Sequence, residues 1–321
     1  MSAPAQSHLT AALFGLAAYA VFSTHDLIIK YLGTLYSPFQ IVFFSALFSF
    51  PIITLILIRD QNPGTLRPVH PWWVALRSLS GATAAVGAFF AFTKLPLAQA
   101  YTILFAAPLL ITVLAIPILG ETVRLRRGIA VVVGLIGVLI VLRPGSAEIG
   151  VGHIAGLISA VAGAMTSIIM RKIGSEERSV VMIVYPMMTN FVLMACALPF
   201  VYRPMPLHDL AYSAVTAAMV LLAMTFLIRA YRYGSAIIVA PMQYSQILWA
   251  TLFGVLFFDE TPDRMTLVGA GVIMLSGLYI LRREATTDVS QNTPVLRTRT
   301  RVGLSSGLRV GPMIRLRSGR K

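Results

Sequence analysis

GLAAYAVFSTHDLIIKYLG, residues 15–33, lies over GLISAVAGAMTSIIMRKIG, residues 156–174, at an offset of 141. Gly15 falls on Gly156, His25 on Thr166, Asp26 on Ser167, Lys30 on Arg171 and Gly33 on Gly174. A second pair agrees. GETVRLRRGIAVVVGLIGVLIVLR (120–143) lies over DETPDRMTLVGAGVIMLSGLYILR (259–282) at an offset of 139, placing Glu121 on Glu260, Thr122 on Thr261 and Arg143 on Arg282. Polar residues that recur inside apolar text at a nearly constant offset mark two copies of one unit.

Composition says what medium the unit sits in. Of 321 residues, 57% are hydrophobic and 12% charged, about half the charged fraction of a soluble domain. A chain this long with so few charges cannot cover its surface against water, so it reads as an all-α polytopic membrane protein. Apolar runs long enough to span as helices lie at 9–31, 38–58, 72–93, 97–118, 126–142, 151–171, 180–201, 209–230, 235–257 and 265–282. Pro, Gly and charge clusters fill the short connections, as in RDQNPGTLRP (59–68) and RKIGSEER (171–178). The loops after segments 2, 4, 6 and 8 hold ten Lys and Arg, while the other five hold one each. The positive-inside bias then predicts both termini in the cytoplasm. Ala18-Tyr19-Ala20 resembles a cleavage site, but no Lys or Arg precedes it, so the first run reads as an uncleaved span.

Five spans per copy is an odd number, so the second copy enters the bilayer upside down. Ten transmembrane helices as two five-helix inverted-topology repeats is an arrangement of secondary transporters, with the substrate site near the midplane between the halves. The expected units are 1–147, 148–284 and a disordered basic cytoplasmic tail, 285–321. That tail holds Arg297, Arg299, Arg301, Arg309, Arg315, Arg317, Arg320 and Lys321 against one acid, Asp288. Half of the net charge of +14 therefore belongs to it, and anionic headgroups are a better partner for it than nucleic acid. Cys196, the single cysteine, forms no intrachain disulfide and reads as a small hydrophobe.

LPLAQAYTILFAAPLLITVLAIPILGE (95–121), LRPG (142–145), LRSLSG (76–81) and DLIIK (26–30) together resemble the drug/metabolite transporter superfamily, EamA type, over residues 9–284. The resemblance implies a transporter and not an enzyme, in the bacterial inner membrane, with a central cavity lined mainly by segments 1, 3, 4, 6, 8 and 9. The second copy departs from the pattern with Asp259 where Gly120 stands and no Pro-Gly after Arg282.

Asp26 is the only one of twelve acids away from a segment end. Deep carboxylates are costly and default to function: it reads as a proton-carrying or substrate-contacting group with titratable His25 beside it, or as the partner of Lys30 at i+4 or of Lys94. Arg77 reads either as an anion contact or as an arginine that snorkels or bonds backbone. Segments 4 and 9 both carry helix-interrupting prolines, Pro108 and Pro117 in one and Pro241 in the other. Around them lie Gln99, Tyr101 and Thr102, and Gln243, Tyr244, Gln246 and Trp249, able to bond and stack an organic ligand or to make interhelical bonds and interface belts. Glu121 and Glu260 read as helix-end structural carboxylates at opposite membrane faces.

The absence of GxxxxGK[ST], HExxH, GxSxG and metal-spaced Cys/His sets argues against ATP-driven, enzymatic and metal roles. No cofactor is expected, and a homodimer is left open. The expected function is secondary-active transport, by alternating access, of a small neutral or zwitterionic organic metabolite such as an amino acid or riboflavin, with proton coupling open. The rivals are a channel, which wants rings of like residues, and a membrane enzyme.

Overall fold

Each apolar run is helical in the computed structural model, which describes residues 5–58, 66–123, 125–144, 149–234 and 236–286. The basic tail, from residue 287 onward, lies outside the described residues. Among the described residues the order is α1 (Ala5–Gly33), α2 (Pro38–Ile58), α3 (Pro71–Lys94), α4 (Leu97–Leu104), α5 (Ala107–Leu119), α6 (Leu125–Leu142), α7 (Val151–Ile173), α8 (Ser179–Val201), α9 (Leu207–Tyr233), α10 (Ala236–Val239), a 3-10 helix (Ala240–Tyr244), α11 (Ser245–Phe258) and α12 (Arg264–Thr286). Seven of the expected spans are long and apolar enough to cross a bilayer, one of them, Leu97–Leu119, divided between α4 and α5, with shorter apolar stretches at Pro38–Pro51 and Arg264–Ile280. The remaining segment, 235–257, is divided among α10, the 3-10 helix and α11.

Proline chemistry explains both divisions. Pro108 has no N–H to offer the carbonyl four residues back, Leu104, and α4 ends at Leu104. The chain tightens there, with Ala106 N–H donating to Ile103 O (3.0 Å), before Leu110 N–H donates to Ala106 O and α5 begins. Pro241 does the same to Ile237, and the chain passes through the 3-10 helix. Pro117 sits inside α5 without ending it, so proline alone does not dictate a break.

The two divided segments end alike. Gly120 (φ 69°) and Asp259 (φ 54°) are both left-handed, and the following glutamate N–H reaches back six residues in each case, Glu121 to Ala115 O (3.3 Å) and Glu260 to Gly254 O (2.9 Å). Each end is a left-handed cap, in which a residue in the left-handed conformation turns the following N–H back onto a carbonyl of the last turns. Asp tolerates that conformation better than most side chains, so the substitution of Asp259 for Gly120 changes the residue and keeps the cap.

Packing is reciprocal. α3 lies against α7 and α1 against α9; α5 and α4 lie against α7 as α11 lies against α1; α2 pairs with α8 and α6 with α12. At the last crossing a Cβ on Gly137 would sit 3.0 Å from Gly269 O, and one on Gly269 would sit 2.7 Å from Gly137 O. The offset of 139 exchanges 137 with 276 and 130 with 269, and Ser276 Oγ donates to Ala130 O. Phe105 and Tyr244, also 139 apart, meet edge to face with ring centroids 5.3 Å apart. Outside the helices, the α1–α2 turn is tied to the start of α9. Tyr36 donates to Asp209 Oδ2 at 2.5 Å, and the bond to that carboxylate, with burial, pushes the tyrosine hydroxyl up to about 12. Gln40 clamps Arg203 backbone from both sides, Nε2 to its O at 2.7 Å and Oε1 from its N–H at 2.9 Å.

Candidate functional site

The site is built around Tyr101, in the last turn of α4 before its division from α5. Tyr101 donates to Asp26 Oδ2, and Gln246 Nε2 donates to the Tyr101 hydroxyl oxygen at 3.3 Å. His25 Nδ1 lies 2.6 Å from Asp26 Oδ1, a contact that requires one shared proton. All four side chains are buried, Asp26 and Gln246 at 2% exposure. Adjacent residues on a helix point about 100° apart, yet His25 and Asp26 both turn inward. The carboxylate is therefore the hub of a network drawn from α1, α4 and α11.

Aromatic rings line the hub. Phe92 lies 5.3 Å from Tyr101, Tyr101 5.9 Å from Phe105, and His25 6.4 Å from Phe89, centroid to centroid. Tyr244 continues the row beyond Phe105, its hydroxyl packed against α12 where a Cβ on Gly277 would stand 1.8 Å away. One residue that sequence reasoning missed belongs here. Ser23 is 1% exposed, its Oγ has no hydrogen-bond partner among the described residues, and it sits at i−3 from Asp26 on the same helix face. A hydroxyl three residues before an intramembrane acid was the available signal.

Several expected residues stand elsewhere. The Lys30 partner is Glu260, at 2.5 Å, together with Leu95 O at 2.6 Å, and not Asp26; Lys94 is exposed. The i+4 pair is overruled because Glu260, at the end of α11, and the α3–α4 corner reach the ammonium first. Arg77 is 1% exposed and donates to Met182 O at 2.8 Å, bonding backbone at the α3–α8 contact. It lies about 22 Å along α3 from Phe92 at 1.5 Å per residue, well away from the hub. Gln99 pairs with His153 Nε2 at 3.0 Å. Trp249 stacks on Phe253 (6.1 Å), which leads to exposed Phe257, so its stripe is an outer face of α11 while Gln246 and Ala250 turn inward. Gln243 is half-buried in the 3-10 helix. No cluster of metal-ligating side chains exists among the described residues.

The exchange that relates the packing breaks at this hub. Asp26 and Tyr101 correspond to Ser167 and Ala240, so the carboxylate and phenol occur once. Chemically, a buried carboxylate with a phenol, an imidazole and a row of rings suits an onium group, held by charge on one side and by ring faces on the other.

The chain is similar to known transporters over most of its length. The model of a family described as the EamA-like transporter family matches residues 9–143 and 150–282. The chain is 28% identical over 280 residues to the S-adenosylmethionine uptake transporter of Rickettsia conorii, covering 87% of this chain and 95% of that protein. It is 26% identical over 279 residues to the pseudopaline exporter of Pseudomonas aeruginosa, covering 84% and 95%. A crystal structure at 20% identity superposes with a TM-score of 0.57 over 88% of this chain and 99% of that one, a likeness of fold.

Proposed function

Because the chain belongs to the EamA-like transporter family, we propose that it carries a small zwitterionic metabolite with an onium group across the bacterial inner membrane by alternating access. The observation that carries this reading is the buried Asp26 hub, fixed by His25 and Tyr101 beside a row of aromatic rings. In the proposed architecture all ten apolar segments cross the membrane, as halves 1–147 and 148–284 of opposite orientation, with both termini cytoplasmic. Reciprocal packing and the matching caps support the two halves, and the loop charge bias supports the orientation.

Asp26 receives the onium, ring faces of Tyr101 and Phe105 shield it, and the orphan Ser23 hydroxyl bonds a polar group of the ligand. An α-amino acid bearing a sulfonium, as S-adenosylmethionine does, satisfies that set, and the similarity to an uptake transporter for it makes it the first compound to try. Neutral riboflavin, by contrast, leaves the carboxylate without a partner charge. The proton shared by His25 and Asp26 supplies a coupling group: a bound cation displaces it, and its return releases the cargo.

The test is thermal stabilisation of purified protein by S-adenosylmethionine, methionine and riboflavin, since a ligand that binds the folded state raises Tm with concentration. S-adenosylmethionine should raise Tm in the wild type and not in Asp26→Asn. Stabilisation by riboflavin alone, or an undiminished shift in Asp26→Asn, would sink the proposal.

A further inference from the structure

Two ion pairs outside the hub each join one half to the other. Lys30, on α1, meets Glu260, after α11; Arg171, on α7, meets Glu121, after α5. The offset of 141 carries Lys30 onto Arg171 and that of 139 carries Glu121 onto Glu260, so the pairs are exchanges of one another. Both carboxylates are delivered by the same left-handed helix cap. Lys30 also donates to Leu95 O (2.6 Å), and beside Arg171 the next residue, Lys172, donates to Ile118 O (3.0 Å). Side-chain exposure is 8% for Lys30, 21% for Glu260, 9% for Arg171 and 7% for Glu121.

They lie at opposite ends of the bundle. Glu260 Oε2 accepts from Leu97 N–H at 3.1 Å, at the first residue of α4, whereas Glu121 follows the last turn of α5. The 23 residues of Leu97–Leu119 separate the two by about 34 Å at 1.5 Å per residue. The hub is one turn from the first pair, Asp26 before Lys30 and Tyr101 after Leu97, and about 27 Å from the second on the same scale.

We infer that Lys30–Glu260 and Arg171–Glu121 are the two latches of the transport cycle, opened in turn, each gating access to the hub from its own end. This rests on the alternating-access reading above. Rocking that parts the halves at one end must break the pair that ties them there, and leaves the other intact. Breaking a shielded pair is costly unless water reaches both charges, so a latch opens together with its aqueous path. Matching chemistry at the two ends keeps the end states close in energy, and the lone hub near Lys30 lets an arriving cation repel its ammonium and couple binding to that latch.

The test places a single reporter, Ser23→Cys, in a Cys196→Ser background and measures labelling by a membrane-impermeant maleimide in right-side-out and inside-out vesicles. Glu260→Gln should raise labelling at least tenfold from the face where Lys30 lies and lower it from the other, and Glu121→Gln should do the reverse. The exchanged pair Lys30→Glu/Glu260→Lys should restore the wild-type ratio, which separates latch loss from misfolding. Shifts to the same side, shifts below twofold, or no restoration by the exchanged pair would overturn the latches. Uptake by wild-type proteoliposomes is read separately. Opposed labelling without uptake defeats the transport reading alone, and uptake without opposed labelling defeats the latches alone.

Discussion

Replacing Tyr101 by Phe removes one oxygen from the hub and little else. The ring keeps its contacts with Phe92 and Phe105, so almost no apolar area changes. Asp26 Oδ2 loses a donor, and Gln246 Nε2 loses an acceptor that is already long at 3.3 Å. A hydrogen bond to a charged group contributes about 1.5–3 kcal/mol and a neutral one about 0.5–1.5, so Tyr101→Phe should destabilise the protein by about 2–4 kcal/mol. Asp26→Asn keeps an acceptor for the phenol and changes the His25 contact, costing roughly 1.5–3 kcal/mol on the same scale. Residues in one network are not additive: the double variant should be less destabilised than the sum of the singles by about 1.5 kcal/mol, because each alone already removes the charge-assisted part of the shared bond. The assay is equilibrium unfolding of purified protein in detergent, read as a double-mutant cycle. A Tyr101→Phe variant within about 0.5 kcal/mol of wild type, or singles that add within that margin, would refute the hub as a stabilised buried network.

Three further outcomes are expected. Gly269→Ala places a Cβ 2.7 Å from Gly137 O and 2.4 Å from Val141 Cγ2 and should lower stability by about 1–3 kcal/mol, whereas Gly271→Ala meets open space and should gain about 0.5–1 kcal/mol; the order of their melting temperatures checks both. Asp259→Gly should be neutral or mildly stabilising and Asp259→Val destabilising by about 1–2 kcal/mol, since φ 54° is a left-handed conformation that β-branched side chains avoid; unfolding of the two variants decides it. Tyr36 has its folded hydroxyl raised to about 12 from an ordinary value near 10, so its bond to Asp209 is fully present below pH 10 and is lost as pH rises toward 12; Tm should fall over that window in the wild type and more shallowly in Tyr36→Phe.

The helices were legible because lipid forces apolar length and forbids unsatisfied backbone, so run length alone marks them. Pro108 and Pro241 were legible as interruptions, but not that each divides its segment while Pro117 does not. The hub was half legible. Asp26, His25, Tyr101 and Gln246 stood out as polar residues in apolar text, but periodicity does not say which neighbour a side chain meets, and for want of a third dimension Lys30, Lys94 and substrate all stood open as partners of Asp26. Glu260 lies 230 residues later in the chain. The repeat did hold that answer: Lys30 maps to Arg171 and Glu121 to Glu260, and a single cross-half contact of one type implies the other. Gln99 and Trp249 share the composition of a binding residue and differ from Gln246 only in the face of the helix they occupy.

Packing α1 against α9 also fixes an order of events during synthesis. The residues that bury Ala11, Ala18, Tyr19 and Phe22 come from Ala223 to Val239, and the carboxylate that meets Lys30 is Glu260. At ribosomal rates of about 5–20 residues per second, the first helix waits on the order of 10–50 s in the membrane with Lys30 lacking the carboxylate of Glu260. The nascent chain is therefore held open until its last fifth emerges, and a chain terminated after the first half leaves the buried Lys30 without its carboxylate, a ready mark for membrane quality control.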